Sequence, residues 1–213
     1  MMATQTAQRS PKLVNNIQNI LESGELVIVP TEVSYIIVAH AFKPRAIRKI
    51  AQLKRWNAPQ PLVLLTRREK VEEFGVVSAA SQKLINHFPY PITLIIPKKN
   101  TIPDTITAQH SALFISCPDE FIYNLVAQIP FPMVCTTAGF SDEYKARKYR
   151  TAIELFDGQV PLIVDGGDCK YDSKGTLIDC TLPTPTILNF GTVSVDDLRS
   201  ILPEIELPSH LRK

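Results

Sequence analysis

A chain of 213 residues with 45% hydrophobic and 21% charged residues can build one large domain or two small ones, and that balance excludes a disordered chain. A net charge of +2 excludes a uniformly basic nucleic-acid binder, so any basic surface must come from local clustering. No apolar run approaches the roughly 18 residues of a membrane span, and residues 1–12 lack the apolar segment of a secretory signal, so they read as a short flexible leader of a cytoplasmic protein.

In chain order, Val14, Ile17, Ile20 and Leu21 recur at helical spacing, and Ser23-Gly24 ends that helix. The apolar run Leu26-Val27-Ile28-Val29 reads as a strand that stops at Pro30-Thr31-Glu32. Residues 35–39 read as a second strand. Ala46, Ile47, Ile50, Ala51 and Leu53 give the next helix its buried face, which leaves Arg45, Arg48 and Lys49 outside. Strands are expected over 62–65, 92–96, 113–117, 133–136 and 162–164. Helical pieces are expected over 71–74, 80–88, 121–128, 151–156 and 195–201. Residues 177–180 and 186–188 pair across the Pro183/Pro185 turn.

Strands and helices interleave without strict alternation, which predicts α/β with a mixed sheet. Many of the 17 prolines sit at strand ends, where a missing N–H is tolerated. One domain over residues 13–202 is expected, followed by a tail over 203–213. The four cysteines, Cys117, Cys135, Cys169 and Cys180, form no Cys-x-x-Cys pair and have no histidine at ligand spacing, so they read as reduced core residues with no structural metal.

Neither glycine-rich phosphate loop is present. Asp165-Gly166-Gly167-Asp168 reads as a plain turn. His40, His87, His110 and His210 are scattered and suggest no catalytic triad. Thr31, Glu32, Ser34 and Tyr35 leave the end of a buried strand, where open α/β proteins place ligands; local turn hydrogen bonds explain Thr31 and Ser34 equally well. Lys54 and Arg55 either offset a helix dipole or clamp an anion. Thr136, Thr137 and Ser141 leave a strand with hydroxyls that suit a polar turn, an amino acid or a ribose. Lys43 to Arg55 and Lys145 to Arg150 are acid-free basic runs. Each is a solvated face or, with Tyr144 and Tyr149 interleaved in the second, a surface for RNA.

Taken in order, these segments resemble the YrdC/YciO-like family, whose best-known members are L-threonylcarbamoyladenylate synthases. The family shows Pro-Thr-Asp/Glu with a following Tyr, matched by Pro30, Thr31, Glu32 and Tyr35. Its Lys-x-Arg before Pro-Leu is matched by Lys54 and Pro61-Leu62, with Trp56 in place of the Arg and Arg55 alongside. Its Pro-Gly-Pro-x-Thr resembles residues 89–93, which end in Thr93. Its Arg-x-Pro-Asp resembles Ser116-Cys117-Pro118-Asp119. Its Thr-Ser-Ala-Asn-x-Ser-Gly resembles residues 136–142, with Thr136, Thr137, Ser141 and Asp142. Its Ser-Thr-x-x-Asp resembles residues 175–179, with Thr176, and its closing Arg-x-Gly resembles Asn189-Phe190-Gly191.

The resemblance implies a twisted mixed sheet with flanking helices and a concave basic cleft. It implies ligand contacts from Thr31, Glu32, Tyr35, Lys54, Arg55, Pro61, Thr93, Thr136, Thr137, Ser141 and Thr176. Family enzymes condense threonine, bicarbonate and ATP, with Mg, for tRNA modification. Here three family arginine positions read Trp56, Ser116 and Asn189, which removes cations that such chemistry uses. The expectation is a divergent protein with little synthase activity. It would bind double-stranded RNA or tRNA, and a nucleotide, through Arg45, Arg48, Lys49, Lys145, Arg147, Lys148 and Arg150. The alternatives are an active synthase with relocated cations or an ATP-independent enzyme on the same fold.

Overall fold

The computed structural model describes residues 3–141 and 144–208. Asp142 and His210 lie outside the described residues. In chain order the elements are β1 (Gln5–Gln8), α1 (Val14–Glu22), β2 (Val27–Pro30), β3 (Tyr35–His40), α2 (Pro44–Leu53), β4 (Val63–Leu65) and α3 (Val71–Phe74). Then follow α4 (Ala79–Ile85), β5 (Tyr90–Pro97), α5 (Asp104–Thr107), β6 (Ala112–Cys117), α6 (Glu120–Gln128) and β7 (Met133–Thr137). The chain finishes with α7 (Tyr149–Phe156), β8 (Leu162–Asp165), β9 (Thr176–Asp179), β10 (Thr186–Asn189) and α8 (Val195–Ile201).

One mixed sheet of ten strands runs β1-β8-β2-β3-β7-β4-β6-β5-β9-β10. Helices α1 and α2 pack on β3, α5 and α6 on β6, and α7 on β8. Register assigns the two faces. Ala39, Val134, Leu64, Ile115, Leu94 and Ile178 lie side by side across six strands and are fully buried. The alternate positions, including Ile36 with Thr137 and Leu65 with Ser116 and Thr93, form the other face, where the cavity described below opens.

The N-terminal segment does not behave as a flexible leader. Gln5 to Gln8 pair in parallel with Leu162 to Asp165 and close the sheet edge beside β8. No hydrophobic alternation announces this strand. Its side chains are mostly exposed, and it is held by backbone hydrogen bonds that composition does not report. The C-terminal segment is likewise tied down through residue 206: Ile205 is buried and Glu206 bridges to Thr186.

Candidate functional site

The site begins at a break in register. Tyr90 pairs with Cys117, yet Thr93 pairs with the adjacent Ser116, so Pro91 and Ile92 bulge out of β5. Bulges re-aim side chains and backbone near functional sites. Here the bulge sets Pro91 on the wall of a cavity of about 120 Å³, with Thr93 beside it. Ile36, Val63, Leu65 and Cys135 give an apolar floor, while Thr31, Ser34, Thr93, Ser116, Thr136 and Thr137 bring hydroxyls. Pro118 and Gly175 complete the rim.

The hydroxyls divide into two groups. Thr31 Oγ1 donates to the Ser34 carbonyl at 2.7 Å and accepts from the amides of Val33 and Ser34 at 3.1 Å, a local turn that aims the loop. Ser116 Oγ donates to the Ile92 carbonyl at 2.8 Å and so holds the bulge. Thr176 lies outside the cavity lining, and its Oγ1 donates to the Val193 carbonyl and accepts from its amide, both at 3.2 Å. These three are committed to the fold. The hydroxyls of Ser34, Thr93, Thr136 and Thr137 make no hydrogen bond among the described residues and are free for a ligand.

Lys54 is buried, and its ammonium donates to the carbonyls of Thr137, at 2.8 Å, and Gly139. It therefore anchors the loop that carries Thr136 and Thr137, a positioning role. Tyr35 is also structural. Its hydroxyl donates to the Gly167 carbonyl at 2.8 Å and accepts from the Gly166 amide at 3.1 Å, and burial pushes its pKa up to about 12. Arg55 points outward, its guanidinium 4.8 Å above the Phe140 ring. Ser141 is exposed and accepts the Tyr144 amide at 3.2 Å. Pro61 is half-buried and lies outside the cavity lining.

Glu32 borders a second hollow of about 240 Å³ that shares Thr31 with the cavity and includes Arg9, Asp168 and Lys170. The Glu32 carboxylate meets Lys170 at 3.3 Å. Its amide donates to Asp119 Oδ2 at 2.8 Å. Asp119 caps α6 through the Ile122 amide, and burial raises its carboxyl above the usual range even though both amide bonds oppose that. Asp119 thus fixes the Thr31–Glu32 loop from beneath. Its place before a helix, after Pro118, is the sequence signature of such a cap. Pro91, Ser116 and Gly175 join the site because register and the bulge put them there, which spacing along the chain does not show.

The cleft is not basic at its centre: no Lys or Arg lines the cavity. The two basic runs are acid-free only in sequence. Glu25 pairs with both Arg45, at 3.5 Å, and Lys49. Asp172 pairs with Arg147 at 2.5 Å, Asp168 with Lys148 at 3.7 Å and Glu154 with Arg150 at 2.9 Å. Lys145 forms an isolated bridge to Gly139. Arg48 is exposed and pairs with nothing among the described residues. Of the positions that are arginine in the family, Ser116 is spent on the bulge, Asn189 is exposed on β10, and Trp56 faces a hollow away from the cavity. All four cysteines are unpaired, and three are buried.

The architecture is a ten-stranded mixed α/β sheet that holds a hydroxyl-lined cavity between a Pro-Thr-Glu turn and a Lys-anchored loop. A family model described as Sua5/YciO/YrdC, "Telomere recombination", matches residues 19–191, and the chain belongs to this family. It is 26% identical over 191 residues to a threonylcarbamoyl-AMP synthase of Pyrococcus abyssi, covering 88% of this chain but 56% of that protein. It is 29% identical to a putative threonylcarbamoyl-AMP synthase of Methanocaldococcus jannaschii, covering 78% of this chain and 80% of that one. Among solved structures, P. abyssi Sua5 complexed with L-threonine superposes with a TM-score of 0.85 at 22% identity, over 98% of this chain and 62% of that one. E. coli YciO superposes with a TM-score of 0.81 at 18% identity, over 93% of this chain and all of that one. These superpositions show the shared fold. No helix among the described residues is long and apolar enough to cross a membrane.

Proposed function

We propose that this chain forms threonylcarbamoyl-AMP from L-threonine, bicarbonate and ATP, with the amino acid seated in the hydroxyl-lined cavity. The observation that supports this reading is the set of four uncommitted hydroxyls over an apolar floor. At about 120 Å³ the cavity is on the scale of an amino acid. An engineered cavity of about 150 Å³ accepts benzene, whereas drug-sized sites run to about 300–1,000 Å³. Ile36, Val63 and Leu65 suit the substrate methyl, and Ser34, Thr93, Thr136 and Thr137 suit its hydroxyl, amine and carboxylate. The relatives named as synthases, and the threonine bound to a protein of the same fold, support the assignment.

In this reaction the threonine amine bonds to the bicarbonate carbon with loss of water. A carbamate oxygen then attacks the ATP α-phosphorus, and the bond to pyrophosphate breaks. Negative charge builds on the leaving pyrophosphate and calls for cations. The triphosphate exceeds the cavity, and the adjoining hollow offers Arg9 and Lys170, with Glu32 and Asp168 as carboxylates for a phosphate-borne Mg²⁺, which needs only one or two. With three family arginines absent, turnover is expected to be slow, since one such contact is worth roughly a hundredfold in rate.

Two measurements test the reading. Calorimetry should show L-threonine binding, and labelled ATP should give pyrophosphate only when threonine and bicarbonate are both present. Threonine binding without turnover would leave a binding protein. No threonine binding would overturn the assignment of the cavity.

A further inference from the structure

An apolar-lined hollow lies away from the cavity and shares no residue with it. It measures about 370 Å³, within the range of small-molecule sites. The exposed side of α2 forms one wall with Ile47, Arg48 and Ala51, and α5 with the turn after it forms the other through Ala108 and Gln109. Trp56 lies between them.

Three features converge there. The Arg48 guanidinium, the Trp56 indole N–H and the side-chain amides of Asn57, Gln60 and Gln109 make no hydrogen bond or ion pair among the described residues, although Arg45 and Lys49 on the same helix are both paired. The lining is otherwise mainly apolar. In addition, the non-glycine residues with positive φ among the described residues are Arg55 at 54°, Ala108 at 49° and Gln109 at 69°. Two of them line this hollow and the third precedes Trp56. Backbone held against its preference gathers where a ligand must be met.

We propose that this hollow is a second site, one that takes a nucleobase. An indole face stacks on a planar heterocycle. Asn and Gln amides match the paired donor and acceptor of a base edge, and an arginine beside them suits the attached phosphate. Arg48, in a basic run whose other members on α2 share the Glu25 carboxylate, is the residue left to do this. The inference does not rest on the synthase reading, because the two sites share no residue. A free nucleotide and a base of single-stranded RNA present the same chemistry.

Trp56 is the chain's one tryptophan, so its emission reports on this hollow directly. The full chain is titrated with AMP, with ribose 5-phosphate and with an oligoadenylate of about six nucleotides, a length in the range of single-strand sites. Saturable change in Trp56 emission with AMP, absent with ribose 5-phosphate, is the expected result. A response to the oligonucleotide alone would identify RNA as the source of the base. The Arg48→Ala substitution should weaken either response about tenfold, the loss of one charge-assisted contact. Both Arg48 and Gln109 are exposed, so the Arg48→Ala and Gln109→Ala proteins should fold. The proposal fails if neither AMP nor the oligonucleotide changes the emission up to about 1 mM. It fails equally if ribose 5-phosphate acts as AMP does, or if both variants respond like the parent chain.

Discussion

Lys54 shows how a residue's chemistry is set by what surrounds it. A lysine at a helix end reads as a dipole partner or an anion clamp, but its ammonium is spent on the carbonyls of Thr137 and Gly139. The Lys54→Met substitution should therefore leave one buried and one part-buried carbonyl without their donor and cost about 1–3 kcal/mol. Denaturant unfolding would measure this, and threonine affinity should fall with it because the Thr136–Thr137 loop loses its anchor. Tyr35 makes a pH-dependent contribution. Its folded pKa, about 12, lies above its ordinary value of 10.0, so the folded state holds the phenolic proton more tightly than the unfolded chain. That stability is complete below pH 10.0 and is lost as pH rises toward 12. Burial also raises the four cysteine thiols in this range, so unfolding curves of the Tyr35→Phe protein should show a shallower pH dependence than the parent in this window rather than none. The four free hydroxyls bear on specificity. L-valine, which has the shape of threonine without its hydroxyl, should bind at least tenfold more weakly, because hydroxyls desolvated by the ligand would lack a partner.

At the scale of elements, β1 is the instructive case. It lacks any hydrophobic signature, yet it pairs along its whole length with β8. A chain lacking residues 1–9 should leave one side of β8 unpaired, with only the short pairing to β2 on its other side, and should melt several degrees lower, at about 2–4 °C per kcal/mol for a chain of this size. The loop after β7 depends equally on Gly139, where an added Cβ would collide with the backbone of Tyr144 and Lys145. Backbone cannot yield as a side-chain tip can, so the Gly139→Ala protein should lose both stability and threonine binding, measurable by thermal melting and calorimetry. Most other elements are legible because their patterns are strong. The helix of residues 14–22 and the strands around Ile28, Leu64, Ile115 and Ile163 carry runs or periods that only one structure can bury. The four-residue helix Asp104–Thr107 was missed, being too short to show a period.

At the scale of the molecule, charge is where sequence and structure diverge most. The two basic runs suggested an RNA-facing surface, but Glu25, Asp172, Asp168 and Glu154 reach five of their members from elsewhere in the chain or from the next helical turn. A Glu25→Gln protein frees Arg45 and Lys49 and should bind a polyanion more tightly. The log–log salt slope should steepen by roughly 0.9 for each cation that now meets a phosphate. Retention on immobilised RNA at stepped salt would read this out.

Hydrophobic period, proline placement and the order of short motifs settled the fold class, the family and the chain segments that surround the cavity, because burial of apolar faces constrains each segment locally. Thr31, Thr93, Thr136 and Thr137 were found this way, and all four line the cavity. What each polar group does was decided only by tertiary structure. Tyr35, Lys54 and Thr176 stand in the same motifs, yet they satisfy buried backbone groups that arrive from residues 83 to 132 positions away, or 17 in the case of Thr176. A hydroxyl or ammonium takes whichever partner the fold brings within about 3 Å. That partner is set by strand register and by the bulge at Pro91–Ile92, and neither is written in the spacing of residues along the chain.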